Sequence, residues 1–334
     1  MTSRPDMTDD MPPPSYAEIE KIIPELPGPD LQAGSTLAEV VARFARREGP
    51  PGEIVDWLDW LASWQGRARP KLEQPRFSLF ACTPGMAGPN GFQQNQARLL
   101  THTEGRSALH SLCAAIPADL RVYDMAITQP TTDPSTGAAV MDEATCVQSM
   151  AYGMMAIEPG VDVMVLAGLG AGHAAHALAL GRAFAGCSGG MPDALPGLIR
   201  DWSDKALAAH ATEAAKGPLH AMSVLGTPSI AALAGAIIAA RMARQPVILA
   251  DVPSLAAALS VKRLDKRATD HCRIQIGVGD VIGDWLSDLL ELTGLPNPVG
   301  QMADAAGSAL MLPVLKQSIE TVLGDAKPDG ATSH

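Results

Sequence analysis

Short apolar runs alternate with longer helical patterns along this chain, and this alternation limits the fold more than any other feature of the sequence. The runs lie at 76–81, 120–127, 161–168, 246–251 and 272–278. Helical periodicity is clearest at 36–48, 53–65, 142–157, 229–243 and 308–323. Strands that are apolar on both faces are covered by helices on both sides. The alternation therefore predicts an α/β fold with a mostly parallel sheet.

The composition excludes some partners and compartments. A formal net charge of -11 argues against nucleic acid, whose phosphate backbone requires a surface rich in lysine and arginine. The sequence has no apolar span that suits a membrane helix, and its N-terminus lacks the apolar centre of a signal peptide. The five cysteines contain no CxxC pair, which favours reduced thiols in a cytoplasmic protein. The polar ends at 1–20 and 325–334 are predicted to be disordered tails.

The stretch VLAGLGAGHAAHALALG at 165–181 joins an apolar run to a helical segment through closely spaced glycines. Gly170 and Gly172 fit the relaxed dinucleotide fingerprint, but the segment that follows shows no obvious strand. Asp193 lies at about the right distance to hold a ribose, but within a glycine–proline loop. His173 and His176 lie at helical spacing, although a metal would need further ligands. Small residues before a helix N-terminus fit a phosphate best. A turn that only packs the helix on the sheet remains open as the alternative.

The order of motifs over most of the chain resembles one enzyme family. FSLFACTPGMAGPNGFQQNQARLL resembles the family segment FAxDHGV…YPQEVT, and VMVLAGLGAG resembles its strand and GExGIGN loop. LGTPSIAALAGAIIAARMARQPVILADV follows LGGFEIAALAGAxLAAAxxxxPVxLDGF, and DAAGSALMLPVL aligns without a gap on EGTGAALALPLL. Over residues 48–323 the chain is therefore similar to the nicotinate-nucleotide–dimethylbenzimidazole phosphoribosyltransferases, which build the lower ligand of cobalamin.

The resemblance implies a Rossmann-like, three-layer α/β domain at 76–285 and a smaller helical domain built from 21–75 and 286–324. It also implies a homodimer that transfers the phosphoribosyl group of nicotinate mononucleotide to a nitrogen of dimethylbenzimidazole and releases nicotinate. The expected partners are a small nucleotide and a flat aromatic base, and the reaction needs no metal or other cofactor. A soluble cytoplasmic protein without a membrane or nucleic-acid partner fits this activity.

The resemblance assigns a proton acceptor and a base slot. Asp304 takes the position of the family's catalytic glutamate in the motif EGTG. A base must lie within about 3 Å of the proton that it accepts, so this shorter side chain serves if the backbone moves inward. The alternative role of Asp304 is to cap the helix that follows it. Phe92 and Gln94 match the tyrosine and glutamine that line the slot for the benzimidazole.

The loop of the family's site is only partly kept in this chain. Gly170 and Gly172 match the family's glycines and are expected beside the ribose phosphate. Gly168 stands in the position of the family's loop glutamate, and His173 stands in the position of its asparagine. Ser229 stands in the position of the glutamate of GGFEI. These positions are still expected to border the substrates.

Two charged residues complete the predicted site. Asp251 lies next to the position of the family's DGF aspartate, now Ala250, and can compensate for it. Lys205 corresponds to a lysine that is expected to contact the phosphate, and its alternative is a solvated surface charge. The replaced motif residues leave a second hypothesis open, in which the chain is a catalytically lapsed homologue. Such a homologue would bind a base, a nucleotide, a corrinoid precursor or an active paralogue.

Overall fold

The computed structural model describes residues 14–88, 90–186, 191–192, 194–277, 279–296 and 305–324. Five parallel strands form one sheet in the order β2-β1-β3-β4-β5. Their bounds are β1 Pro75–Ala81, β2 Asp119–Asp124, β3 Val163–Leu169, β4 Val247–Leu249 and β5 Cys272–Ile274. The predicted strands and the parallel α/β fold are confirmed. Pairing in one sheet satisfies the backbone groups of these apolar runs, which are otherwise costly to bury.

Helices flank the sheet. Their bounds are α1 Tyr16–Ile22, α2 Leu31–Glu48, α3 Ile54–Gln65, α4 Gly91–Thr103, α5 Ala108–Ala115, α6 Glu143–Met154, α7 His173–Ala185, α8 Gly197–Ala214, α9 Pro218–Leu225, α10 Pro228–Met242, α11 Val252–Leu264, α12 Val281–Leu290 and α13 Ala306–Leu323. The helical patterns of the sequence correspond to α2, α3, α6, α10 and α13. Among the residues that the structure describes, no helix is long and apolar enough to cross a bilayer.

Alternate side chains of the central strand β3 enter two different cores. Met164 and Leu166 pack with side chains of α6, α7, α9, α10 and α11. Val163, Val165 and Ala167 pack with side chains of α2, α3, α5 and α13. Successive side chains of a strand point to opposite faces, so a run that is apolar throughout requires helices on both faces. The fold therefore has three layers, with the sheet in the middle.

The two ends of the chain meet on one face of the sheet. Helices α2 and α3 from the first part pack with α13 from the last part, over the same strand residues that face α5. Trp60 of α3 is buried and donates a hydrogen bond from its indole nitrogen to the carbonyl O of His271, at 2.9 Å. The helical segments predicted at 21–75 and 286–324 thus share their core with the sheet.

Helix α1 includes residues that the sequence analysis assigns to the N-terminal disordered tail. Tyr16 and Ile19 of α1 are buried against the core, and the backbone N–H of Tyr16 donates to Glu143 Oε1 at 2.7 Å. The prediction of disorder over 1–20 is therefore wrong from Tyr16 onward, because two apolar side chains anchor this polar segment. The tail predicted at 325–334 lies outside the described residues.

Candidate active site

A cleft of about 390 Å³ opens where β3, β4 and β5 end. The carboxyl ends of parallel strands meet at one edge of a sheet, which is where α/β proteins bind ligands. Its walls come from the loop after β3, the turn between β4 and α11, the segment after β5, and α4. The lining residues that bear on function are Arg98, Gly170, Gly172, His173, Asp251 and Asp280.

The last two residues of β3 and the turn that joins it to α7, residues 168–172, are together named the glycine loop. Gly170 and Gly172 have φ angles of 146° and 101°, which side chains rarely adopt. A Cβ on Gly170 would also lie 2.2 Å from the carbonyl O of Cys82. Both glycines are therefore required by backbone geometry, and the loop approaches the end of β1 too closely for a side chain.

Side chains from two other elements hold the glycine loop in place. Asp251, at the start of α11, accepts a hydrogen bond through Oδ2 from the backbone N–H of Gly168 at 2.6 Å. Asn95 of α4 is fully buried, and its Oδ1 accepts from the backbone N–H of Ala171 at 2.6 Å. Two N–H groups of the loop are therefore already used. An anion would bind instead at the N-terminus of α7, where Gly172 and His173 begin the helix.

His173 joins the glycine loop to a buried cluster of polar side chains. Its Nδ1–H donates to the carbonyl O of Gly170 at 2.7 Å, which leaves Nε2 for other partners. Nε2 lies 2.6 Å from Ser229 Oγ and 3.3 Å from Cys82 Sγ, and these two atoms are 3.2 Å apart. Ser229 Oγ also lies 3.0 Å from Thr227 Oγ1. Three elements thus meet at one imidazole.

The charges of Cys82 and His173 depend on each other. Burial acts to raise the pKa of the Cys82 thiol, but the charge and hydrogen bond of His173 outweigh it and lower that pKa. Burial acts to lower the pKa of His173, but Cys82 outweighs it and raises that pKa. Each partner therefore stabilises the charged form of the other.

His176 does not join His173 in a metal site. Its Nδ1–H donates to the carbonyl O of Leu225 at 2.8 Å, and its ring lies 4.8 Å from that of Trp202. Burial lowers the pKa of His176 to about 4, so this imidazole is neutral at physiological pH. Within the described ranges, no group of three or more potential ligands could hold a metal ion.

Asp251 and Asp280 bring carboxylates to the cleft, and each also caps a helix. Asp251 Oδ1 accepts from the backbone N–H of Ser254 at 2.9 Å, at the start of α11. Asp280 Oδ1 accepts from the backbone N–H of Gly283 at 3.0 Å, at the start of α12. Withdrawal from water raises the pKa of Asp251 to about 6, although its hydrogen bonds oppose the shift. This carboxylate therefore titrates just below neutral pH.

Some of the residues predicted from the sequence lie away from the described wall of the cleft. Phe92 is half-buried and Gln94 is exposed on α4, and neither is among the residues that line the cleft. Lys205 is exposed on α8 and also lies outside that lining. Asn95 and Arg98 of α4 reach the loop and the cleft instead. Sequence reasoning missed both, and one signal was their helical spacing from Phe92 and Gln94.

Asp304 lies outside the described residues, but the chain resumes directly after it. Ala305 has a φ of 64° and is the N-cap residue of α13, so the helix begins one residue later than a cap at Asp304 requires. Ser308 of α13 donates to Gln275 Oε1 at 2.6 Å. Gln275 follows β5, and the next residue, Ile276, lines the cleft. The start of α13 is thereby joined to the segment that borders the site.

Comparisons with known proteins agree on one family. A family model described as phosphoribosyltransferase matches residues 26–331. A nicotinate-nucleotide–dimethylbenzimidazole phosphoribosyltransferase from Brucella anthropi is 33% identical over 268 residues, which cover 77% of this chain and 79% of the relative. A protein of the same name from Brucella canis is 32% identical over the same shares of both chains.

Solved structures share the fold. The nicotinate-nucleotide–dimethylbenzimidazole phosphoribosyltransferase of Thermus thermophilus superposes with a TM-score of 0.73, covering 86% of this chain and 95% of that one at 19% identity. A second structure from the same organism superposes with a TM-score of 0.72 at 18% identity, covering 86% of this chain and 96% of that one. At this identity the likeness concerns the three-layer architecture.

Proposed function

This chain belongs to the nicotinate-nucleotide–dimethylbenzimidazole phosphoribosyltransferase family, and from that premise we propose how its cleft performs the reaction. The phosphoribosyl group of nicotinate mononucleotide is transferred to a nitrogen of dimethylbenzimidazole, which yields α-ribazole phosphate for the lower ligand of cobalamin. The observation that carries the proposal is the composition of the cleft. A guanidinium and a helix N-terminus border it together with two carboxylates, beside a loop held rigid by buried polar groups.

The phosphate is bound at the N-terminus of α7. Backbone N–H groups at a helix start, with the helix dipole behind them, form a favourable anion site. Gly172 has no side chain to block the approach, and Arg98 of α4 adds a guanidinium to the cleft. These groups support binding of the 5′-phosphate of a nucleotide.

The transfer is a displacement at C1′ of the ribose. A nitrogen lone pair of the base forms the new bond to C1′, and the bond from C1′ to nicotinate breaks with its electron pair. The proton on the other ring nitrogen of the base moves to a carboxylate. Asp304 is the proposed acceptor, since the adjoining start of α13 is bonded through Ser308 to Gln275 beside the cleft. General-base catalysis of this kind contributes roughly 10²–10⁴ in rate.

Helix α4 supplies the proposed slot for the aromatic base. Its buried Asn95 fixes the helix to the glycine loop, so the neighbouring turn has a defined position beside the cleft. Phe92 offers an aromatic face that is half-buried, and the exposed amide of Gln94 can hydrogen-bond to a ring nitrogen. Accessible side chains of these types, next to a rigid contact, support a site for a flat heterocycle.

The protein is proposed to act as a soluble cytoplasmic homodimer. Cys82, Cys113, Cys146 and Cys272 are buried free thiols, which suits a reducing compartment. Light scattering after size-exclusion chromatography gives the mass directly. A monomer at micromolar concentration would contradict the dimer without affecting the proposed reaction.

The reaction is tested by incubating the purified protein with nicotinate mononucleotide and dimethylbenzimidazole and separating the products by chromatography. We expect nicotinate and α-ribazole phosphate in equal amounts. Asp304→Asn is expected to lower kcat by about 100-fold or more, because the acceptor loses its charge. Asp288→Asn, which changes an exposed carboxylate on α12, is the matched control and should leave kcat unchanged.

The alternative hypothesis has its own signature in the same experiment. A catalytically lapsed homologue would bind the nucleotide or the base in calorimetry and release no nicotinate. An active wild-type protein in which Asp304→Asn retains full kcat would keep the proposed reaction and remove Asp304 from it.

A further inference from the structure

Asp251 holds a carboxylate at the cleft in a fixed orientation. It is half-buried, and each of its oxygens accepts a backbone hydrogen bond, one from Gly168 at 2.6 Å and one from Ser254 at 2.9 Å. These bonds come from two different elements, the glycine loop and α11. Asp251 and Gly168 both line the cleft, and a carboxylate can accept more than these two hydrogen bonds, so lone pairs of Asp251 are left for a ligand.

Helix capping does not explain why this residue carries a charge. Asparagine and serine cap helices about as well as aspartate. A carboxylate withdrawn from water is less stable when ionised, and the pKa of Asp251 is raised to about 6 accordingly. A neutral cap would avoid that cost. The charge therefore has a purpose other than starting α11.

Asp251 and the proposed phosphate site belong to different elements of the same cleft. The charged groups that face this region are His173 with Cys82 beneath the glycine loop, Arg98 on α4, and Asp280 at the start of α12. Arg98 brings a guanidinium from α4 and the N-terminus of α7 adds the positive end of a helix dipole, whereas Asp251 and Asp280 lie at the starts of α11 and α12. A nucleotide whose phosphate lies at α7 would extend its ribose toward the carboxylates.

The space beside Gly168 is closed to any other side chain. A Cβ at this position would lie 2.8 Å from Pro253 Cβ and 3.8 Å from Asp251 Oδ2. The loop itself therefore cannot present a charge at this point. The carboxylate of the neighbouring turn takes that place, next to the loop that borders the ribose.

We propose that Asp251 is a catalytic residue that faces the ribose and stabilises the positive charge that develops on it. This inference rests on the proposed function. As the bond from C1′ to nicotinate breaks, its electron pair neutralises the pyridinium nitrogen, and the positive charge moves to C1′ and the ring oxygen. The base nitrogen then supplies the electron pair of the new bond, and its proton goes to Asp304. Asp251 forms no bond and accepts no proton; its fixed negative charge stabilises the transition state more than the ground state.

The test compares uncharged caps at this position with the wild-type enzyme. Asp251→Asn and Asp251→Ser keep a helix cap and remove the charge, so at least one is expected to fold. Both should lower kcat by about 100-fold and change KM for nicotinate mononucleotide by less than about threefold. Wild-type kcat should fall as the pH drops through the region of about 6 where Asp251 gains a proton, and this acid limb should be absent in both variants.

Asp142→Asn is the matched control, because Asp142 caps α6 through the backbone N–H of Thr145 at 2.7 Å and lies outside the cleft. It should change neither kcat nor the pH profile. Variants of Asp251 that keep kcat within threefold would overturn the inference, and so would variants that lose kcat but keep the acid limb. A wild-type protein that releases no nicotinate would contradict the proposed function itself, which separates the two failures.

Discussion

Two regions of this molecule depend on glycine, and they use it for opposite purposes. Where α6 crosses α10, a Cβ on Gly153 would lie 1.8 Å from the carbonyl O of Ala232, and one on Gly235 would lie 1.9 Å from that of Met150. These glycines allow two backbones to touch. The glycine loop at 168–172 instead uses glycine to adopt positive φ angles beside an open cleft.

The neighbours of the two regions differ in the same way. The contact of α6 with α10 is packed with apolar side chains of the core, such as Val147 and Ile237. The glycine loop is held by Asp251, Asn95 and the imidazole of His173, all through hydrogen bonds to its backbone. Polar groups beside a cleft cost stability that an apolar contact does not. The first region therefore serves the fold, and the second is the one that we propose to serve a ligand.

The largest expected effect concerns the helix contact. Gly235→Val would drive α10 away from α6, and we expect the free energy of unfolding to fall by about 3 kcal/mol or more. Urea denaturation followed by circular dichroism measures this loss. The kcat of the molecules that remain folded should be unchanged, since Gly235 is buried in α10 and does not line the cleft.

Gly197→Ala is the control for that substitution. Gly197 is the first residue of α8, has an ordinary φ angle, and a Cβ there would meet no atom within 4 Å. Its replacement should leave stability unchanged or raise it slightly. Equal stability of Gly235→Val and the wild-type protein would show that α6 and α10 can separate without cost. Glycine would then not be required where these two helices cross.

The second prediction concerns the stability that the folded protein loses when the carboxylate of Asp251 ionises. Because the pKa of Asp251 is raised from 3.8 to about 6, the folded protein holds a proton there that the unfolded chain has released. The free energy of unfolding should therefore fall by about 2 kcal/mol as pH rises from about 4 to about 7. This figure is below the full effect of the pKa shift because solvent partly screens the half-buried carboxylate. Asp251→Asn should lack this fall, so its difference from the wild-type protein changes with pH.

Asp142 provides a control of opposite sign. The hydrogen bonds of Thr145 lower the pKa of this exposed cap below its ordinary 3.8. The stability that it contributes is present above that pH and is lost as pH falls through the lowered pKa. Asp142→Asn should thus be less stable than the wild-type protein at neutral pH and approach it at acid pH. If the stability difference from the wild-type protein had the same pH dependence in both variants, the raised pKa of Asp251 would be refuted.

A third prediction tests whether Arg98 belongs to the proposed phosphate site of the cleft. Arg98→Gln removes the guanidinium from the phosphate side, and we expect KM for nicotinate mononucleotide to rise by about tenfold, which is about 1.4 kcal/mol. The kcat should change far less, since the phosphate does not react. Arg106→Gln is the control, because Arg106 is exposed and pairs with Glu104 away from the cleft. An unchanged KM in Arg98→Gln would remove this residue from the phosphate site.

The smallest effect is expected for Lys205→Ala. Lys205 is exposed on α8 and does not line the described cleft, so we expect KM for nicotinate mononucleotide to change by less than about twofold. The assay is the same as for Arg98. A rise comparable to that of Arg98→Gln would support the phosphate contact predicted from the sequence.

The elements of the fold could be predicted because each depends on neighbours along the chain. The run at 161–168 is apolar through most of its length, and it forms β3 at the centre of the sheet. The positions of Gly170 and Gly172 could also be predicted, since only glycine suits a tight turn that leads from a strand into a helix. These features follow from periodicity and backbone sterics, which are local.

The site could be predicted less well because its contacts join residues far apart in sequence. Asn95 and Ala171 are 76 positions apart, and His173 and Ser229 are 56 apart. The helical spacing of Asn95 from Phe92 indicates a shared face, but it does not show that Asn95 is buried and Gln94 exposed. No sequence motif singles out Cys82, because its interaction partner is the imidazole of His173, which only folding brings next to it.

The sequence by itself determined the order and type of the elements, the parallel sheet, and the glycines of the loop, because hydrophobic pattern and allowed φ angles act over a few residues. Only the tertiary structure decided that Asp251 and Asn95 hold the loop and that Arg98 faces the cleft. Hydrogen bonds extend about 3 Å, so which side chains meet depends on how the layers pack around the sheet.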